Sequence, residues 1–233
     1  MIVTRETVPR NAWPVANRSQ WTFAARGEGA NGPHMTFNDR STPLSLLATR
    51  RSAKARDLIA PGPDTDELDR IFQIAARTPD HGKLAPWRFV VVPADQRDAL
   101  ATGIVDAYRA EKPGAGRLEI EAMDQFARQA PTLVVVLASP KVESHIPLWE
   151  QELSVGAATM NLEHAVHATG YAACWLTGWA AFSDRVRDLF GAAPERIAGF
   201  VFIGTPGKPL EERPRPDMAR TVSIWNGAAT SGD

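Results

Sequence analysis

The segment that most limits how this 233-residue chain can fold runs from Glu150 to Thr169. It holds no proline and sets the small residues Gly156, Ala157, Ala158, Ala165 and Ala168 among Leu153, Met160, Leu162 and Val166. Such a stretch reads as one long helix. A helix that is apolar on most sides must be buried on most sides, either in a core or across a subunit interface. The rest of the chain has to supply what covers it.

Strand and helix patterns surround this segment. Thr132 to Ala138 is a continuous apolar run, and Trp87 to Val92, stopped by Pro93, is rich in β-formers; both read as buried central strands. Ala172–Leu176 and Gly199–Ile203 give two shorter strands. Asp64 with Glu67 three residues on makes a helix start, followed by the apolar stripe Leu68, Ile71, Phe72 and Ala75, which ends before Pro79. Leu44, Leu47 and Ala48 give a short helix after Pro43. Further helices are expected from about Ala94 to Ala110, from Leu118 to Gln129 beyond a Pro113-Gly114 break, and from a Ser183 cap to Phe190 before Gly191. The Arg213-Pro214-Arg215-Pro216 tail must be extended. Interspersed helices and strands without internal repeats indicate one α+β domain with helices packed on a mixed sheet, at a length that one core can serve.

Residues 1–40 have no period of 3.6 or 2 and read as an irregular extension punctuated by Pro9, Pro14, Gly27, Gly29, Gly32 and Pro33. Met35 opens a better-behaved segment and is an alternative start, although Trp13, Trp21 and Phe23 argue against pure disorder.

Twenty-six basic residues against twenty-seven acidic ones leave a formal charge of -1, so there is no overall pull toward nucleic acid or anionic membranes. Any anion site must be local. No apolar run reaches the ~18–20 residues that a membrane span requires, and the N-terminus has no signal-peptide pattern. A single cysteine, Cys174, can neither close an intramolecular disulfide nor anchor a metal cluster alone, which fits a reducing cytoplasm. Glycine-rich dinucleotide fingerprints, phosphate loops and nucleophile elbows are all missing, which disfavours Rossmann dehydrogenases, nucleotide hydrolases and serine hydrolases. His164 and His167 lie three apart without an accompanying metal-binding carboxylate signature, a pattern of packing or surface histidines rather than metal ligation.

Three stretches could carry chemistry. Arg50-Arg51-Ser52-Ala53-Lys54 gathers bidentate guanidinium donors, a hydroxyl and an ammonium, a set that suits phosphate. Taken alone it fits a solvated basic loop at least as well. Thr78 to Trp87 joins a helix to a strand; His81 could donate to a ligand and Trp87 could pack on one, or Asp80 and Gly82 could merely form a turn while Trp87 fills core. Cys174-Trp175-Leu176-Thr177-Gly178 ends a strand with backbone amides able to meet a planar ring edge-on, although strand-ending glycines are common without ligands.

In order and spacing these stretches resemble the nitroreductase family, over about residues 42–225. The resemblance rests on Arg50-Arg51-Ser52 after a helix, Arg77-Thr78-Pro79-Asp80-His81, Pro86-Trp87 before a strand, and Trp149-Glu150-Gln151-Glu152 opening the small-residue helix. The Trp175-Leu176-Thr177-Gly178 turn and Gly204-Thr205-Pro206 complete it. Within that family the likeness is to the small, minimal nitroreductases of the bacterial YdjA-like group.

The resemblance implies a nitroreductase-like fold over residues 41–233: a mixed, mainly antiparallel sheet flanked by helices, in an intertwined homodimer with FMN at the subunit interface. It places Arg50, Arg51 and Ser52 on the FMN phosphate and ribityl chain and Trp175, Leu176 and Thr177 along the isoalloxazine. Arg77 and His81 would reach the partner subunit's FMN. The late Lys-x-Arg phosphate clamp of better-known members has no clear counterpart here, Arg213 and Arg215 being the nearest residues. The implied activity is ping-pong electron transfer from NADH or NADPH, through the cofactor, to a nitro compound, quinone or related small acceptor. A specialised enzyme of the same fold, such as a dehalogenase or dehydrogenase, and a flavin-binding protein without turnover are the rival readings.

Overall fold

Strand β3 (Thr132–Ala138) shows why the sheet is covered on both faces. Leu133, Val135 and Leu137 enter one apolar cluster, while Val134 and Val136 enter another on the opposite face. All five side chains are fully buried, which explains a run with no polar alternation. β3 pairs with β2 (Trp87–Val92) on one edge and with the eleven-residue β5 (Arg196–Pro206) on the other; β4 (Ala172–Leu176) and the two-residue β1 (Leu58–Ile59) also pair with β5. Each of these four pairings is antiparallel, in keeping with the mainly antiparallel sheet expected.

The computed structural model describes residues 36–225 and Gly227. The expectations for Trp13, Trp21 and Phe23 lie outside them. The chain divides into two units, one spanning Thr36–Leu210 and one that includes the residues from Glu211 onward. In the second, α8 (Met218–Thr221) follows the Arg213–Pro216 stretch, which has neither helix nor strand, and Arg215 donates to Glu212 at 2.9 Å.

In the first unit, α1 (Pro43–Thr49) is capped by Thr42, whose hydroxyl accepts from the Ser45 N–H at 2.9 Å. α2 (Thr65–Ala75) starts at the expected capping box: Asp64 accepts from the Glu67 N–H at 2.8 Å, and Glu67 accepts from the Asp64 N–H at 3.0 Å. α3 (Arg97–Glu111) and α4 (Arg117–Arg128) follow β2, α5 (Leu148–Thr169) follows β3, and α6 (Gly178–Phe182) and α7 (Asp184–Arg187) follow β4. α2 and α5 cover one sheet face through Ile71, Val155, Leu162 and Val166. α3, α4, α6 and α7 cover the other through Leu100, Ile104, Ala127, Ala180 and Val186. No helix among the described residues is long and apolar enough to cross a membrane.

Two expectations need correction. Trp87–Val92 is an edge strand rather than a central one, since β3 alone pairs with it among the described residues. Its apolar character comes from cover on both faces: Trp87 and Phe89 pack toward α2 and α5, and Val90 and Val92 toward α3. Ser183 caps α7 as expected, accepting from the Val186 N–H at 3.2 Å, but the helix stops at Arg187 and the chain reaches Phe190 through tighter turns.

A bulge in β5 sets the position of Trp175. The pairing passes from Val136 opposite Gly199 to Leu137 opposite Ile197, so Ala198 is the extra residue. The insertion puts Ile197 on the same face as Phe200 and Phe202. It also frees the Ala198 carbonyl to accept from the Trp175 indole N–H at 3.1 Å. The indole lies so close over Gly199 that a Cβ there would overlap it. Gly199→Ala is expected to cost about 2 kcal/mol through overpacking, read as a lowered Tm together with a shift in tryptophan emission.

α5 also buries His167 completely, with neither ring nitrogen in a hydrogen bond. Burial, followed by the nearby Arg50 charge, pushes this imidazole down to about 4, so it is neutral in the folded chain near neutral pH. Unfolding restores an ordinary imidazole near 6.5. The unfolded state therefore binds the proton first, and stability is lost as pH falls from about 6.5 toward 4, by roughly 3 kcal/mol in all. Comparing Tm between pH 8 and pH 4.5 should show this loss, and His167→Leu should flatten the slope.

Candidate functional site

The basic segment leaves α1 at its C-terminal cap, Arg50, and the next residue is clamped by an unexpected partner. Asn38 accepts from the Arg51 N–H at 2.8 Å and donates to the Arg51 carbonyl at 3.3 Å. Its own N–H bonds to the Thr49 carbonyl at 3.1 Å, and the Asp39 N–H bonds to the Thr49 hydroxyl at 2.9 Å. Asn38 sits at φ 54°, a left-handed conformation that asparagine tolerates better than most residues. Residues 36–40, expected as part of the irregular extension, are thus irregular in form yet fixed against the loop they support. The signal for Asn38 was slight: an Asn-Asp pair shortly before the Thr42-Pro43 helix start.

Arg50 donates to the Ser52 hydroxyl at 3.2 Å, and the same guanidinium stands 3.6 Å from the Glu163 carboxylate on α5. At that spacing the contact with Glu163 is an ion pair without a hydrogen bond. The Arg50 side chain is 19% exposed and that of Glu163 only 5%, so the cation faces outward over a buried anion. Arg51 is buried. Burial pushes the Glu163 carboxyl above the usual carboxylate range, against the opposing pull of Arg50, the Trp175 backbone N–H and Arg51. Glu163 was not singled out from the sequence; on a helix rich in small apolar residues, a lone carboxylate at an inward position was the available sign.

Trp175 brings β4 to the same carboxylate through its backbone. Alternation then separates the three residues of its turn. Trp175 packs on the α5 side of the sheet, Leu176 on the α3 side, and Thr177 is exposed at the strand end. Only backbone and Thr177 groups can present one continuous edge. Gly178 follows at φ 62° with no neighbouring atom within 4 Å of where a Cβ would stand, so the turn opens outward. A cavity of about 350 Å³ between Trp175, Gly156, Val155, Phe182 and Ala198 lies beside it, and Arg50, Arg51 and Ser52 do not line it.

The structure holds Arg77 and His81 elsewhere. Their loop is fastened to α5 by Ser154, which donates to the Pro79 carbonyl at 2.7 Å, and by Asn161, which donates to the Arg77 carbonyl at 3.3 Å and the Thr78 hydroxyl at 3.2 Å. Asp80 accepts from the Ala85 N–H at 2.7 Å, and Gly82, Lys83 and Ala85 all have positive φ, so this segment is a tightly wound turn. Both Arg77 and His81 are exposed, and His81 Nδ1 lies 2.8 Å from Glu150 at the start of α5. Thirteen residues separate Glu150 from Glu163, roughly 20 Å of helix, so one chain does not bring His81 to Arg50. Trp87 packs in the cluster with α2 and α5, the core role rather than the ligand role. Arg213 and Arg215 belong to the second unit. His164 and His167 join no metal-binding group of three or more candidate ligands among the described residues.

Among the described residues, α5 is covered on one side only. Trp149, Leu153, Ala157 and Ala168 are exposed and Gly156, Met160 and His164 partly so, forming a stripe along the helix; Trp149 is 67% exposed and Leu153 55%. The structure thus decides the expectation of burial on most sides for a single chain: the second side is open.

The profile of the nitroreductase family matches residues 47–205. A Haemophilus influenzae protein named as an NAD(P)H nitroreductase is 36% identical over 165 residues, covering 70% of this chain and 87% of that protein. The Escherichia coli K12 protein YdjA, named in the same way, is 32% identical over 164 residues with the same two coverages. Among solved structures, a nitroreductase-like family protein from Bacillus cereus superposes with a TM-score of 0.67 at 19% identity, covering 82% of this chain and 98% of that one. A Desulfovibrio desulfuricans protein described as a nitroreductase in complex with FMN gives 0.61 at 19% identity, covering 80% and 99%. The sheet and its flanking helices are therefore those of a shared architecture, and the chain belongs to the nitroreductase family.

Proposed function

We propose that this protein is an FMN-dependent NAD(P)H oxidoreductase that passes electrons to nitro compounds, quinones or related conjugated acceptors. The observation that carries this reading is the meeting of Arg50, Ser52 and the Trp175 turn around Glu163. The donor set fits the cofactor. Arg50 and the Ser52 hydroxyl offer adjacent donors to a phosphate, with Arg51 adding charge. Glu163 Oε1, buried without a hydrogen-bond donor, suits a ribityl hydroxyl. Thr177 and the backbone of Trp175 and Leu176 present an open edge for the ring system.

FMN, when bound, supplies two-electron transfer between a nicotinamide and the acceptor, so the chain needs no side-chain nucleophile. The chain's own residues bind the phosphate, orient the ring edge and exclude water. With reductant and acceptor taking the same site in turn, the kinetics are ping-pong. The reductant names of the relatives support NADH or NADPH as donor, and the lone cysteine supports work in the cytoplasm.

The open stripe of α5 supports a homodimer. Gly156 and Ala157 let a second copy's helix approach closely, and an obligate interface favours such a surface. In that arrangement Arg77 and His81, remote from Arg50 in their own chain, serve the other subunit's cofactor. Ala157→Arg is expected to give monomers by light scattering and to lose most bound FMN.

The central test is an anaerobic titration of the purified protein with FMN, then with NADH or NADPH, then with an acceptor. Uptake of FMN and bleaching by the reductant are expected; a chain that takes up FMN but is not bleached would be a flavin-binding protein without turnover. Arg50→Glu should weaken FMN binding by about 100-fold, the scale of a lost charge-assisted pair. Arg220→Glu should leave it nearly unchanged, and equal losses would sink the assignment of the basic segment.

A further inference from the structure

Burial alternates along the basic segment. Arg51, Ala53 and Ala55 are buried, the two alanines in a core cluster, whereas Arg50 and Ser52 are half-buried and Lys54 is exposed. Successive side chains thus fall on opposite sides, as they do in a strand, yet no strand pairs with this segment among the described residues. One side chain takes the place of a pairing strand. Asn38 accepts from the Arg51 N–H at 2.8 Å and donates to the Arg51 carbonyl at 3.3 Å, so its amide bonds the segment as a neighbouring peptide group would. Asn38 is itself braced, through its N–H on the Thr49 carbonyl and the Asp39 N–H on the Thr49 hydroxyl.

The peptide planes on both sides of Arg51 are thereby fixed. In a planar trans peptide the N–H points away from the carbonyl that precedes it, so turning the Arg51 carbonyl toward Asn38 turns the Ser52 N–H away from Asn38. No acceptor among the described residues meets that N–H. The hydroxyl of the same residue already stands 3.2 Å from the Arg50 guanidinium. A backbone donor, a hydroxyl and a guanidinium thus lie within two residues of one another, a combination that suits a phosphate.

Resting on the flavin reading above, we infer that Asn38 is a positioning residue for the phosphate site: by holding both peptides of Arg51 it presents the Ser52 N–H, beside the Ser52 hydroxyl and Arg50, as a preset donor to a phosphate monoester. Asn38 touches no ligand itself. The family profile begins at residue 47, so this brace comes from the segment ahead of the matched region. Without the brace the chain between Thr49 and Ala53 is held at its ends alone, and binding a phosphate has to order the peptide planes at an entropic cost.

A structural Asn38 and a positioning Asn38 act differently on two flavins. Asn38→Gly removes the amide while keeping a residue at ease with φ 54°. A structural role lowers the affinity for FMN and for riboflavin together. A positioning role lowers the ratio of FMN affinity to riboflavin affinity by about tenfold, the scale of one hydrogen bond to a charged group, because FMN alone carries the phosphate.

The experiment has two arms on the full chain. Amide hydrogen exchange of the wild type should show the Arg51 N–H protected before any ligand is added. The Ser52 N–H should exchange readily in the ligand-free and riboflavin-bound chain, and slow by roughly tenfold or more once FMN is bound. Fluorescence titration of the wild type and Asn38→Gly with each flavin then gives the ratio. A Ser52 N–H that is protected without ligand, or still exchanges with FMN bound, overturns this inference alone, whether or not the variant folds. So does an unchanged ratio in Asn38→Gly. Failure of the wild type to bind FMN at all overturns the flavin reading and this inference together.

Discussion

α5 lies against the sheet with Val155, Leu162 and Val166 in the core, and the same helix carries the polar side chains that fasten each functional segment. Ser154 and Asn161 hold the Thr78–His81 loop, Glu150 meets His81, and Glu163 gathers Arg50 and the end of β4. Apolar burial supplies the stability that fixes the helix, at about 1.5–3 kcal/mol for each large side chain removed from water. Polar groups carried inward on such an element are costly unless partnered, so each of these contacts also specifies where a loop must sit. The register of α5 on the sheet thereby determines the geometry of the candidate site.

The electrostatic character of the site follows from the same burial. Placing Glu163 and His167 within a helix face that packs inward leaves them few partners and pushes both toward their neutral forms. The two arginines are buried unequally: Arg50 reaches partly to solvent, whereas Arg51 is buried and its backbone is held by Asn38. Positive potential is thus directed outward by the order of burial. A surface cluster of the same composition would be screened and far weaker.

Much of the fold could be read along the chain because local signals agreed with the final packing. The Asp64–Glu67 box, the Ser183 cap and the β3 run each reflect interactions between near neighbours or a simple period. Edge position was not legible in Trp87–Val92, because apolar cover on two faces gives the same composition as pairing on two sides. The bulge at Ala198 was also hidden, since the insertion is defined only against β3 and is filled by Trp175 from a third strand. Asn38 and Glu163 went unread for the related reason that their importance lies in what reaches them from elsewhere.

By itself, the sequence determined that the chain is α+β, that its long helix could not stand alone in water, and that Arg50-Arg51-Ser52, the Arg77–His81 loop and the Trp175–Thr177 turn are the segments to watch. Period, caps and turn residues act over a few positions, so they survive in one dimension. Only the tertiary structure decided which of these segments meet. It joined Arg50 and Trp175 through a buried carboxylate, set His81 roughly 20 Å along the helix, and left one face of α5 open. Those outcomes depend on distances between residues far apart in the chain, and such distances are fixed by how α5 packs on the sheet.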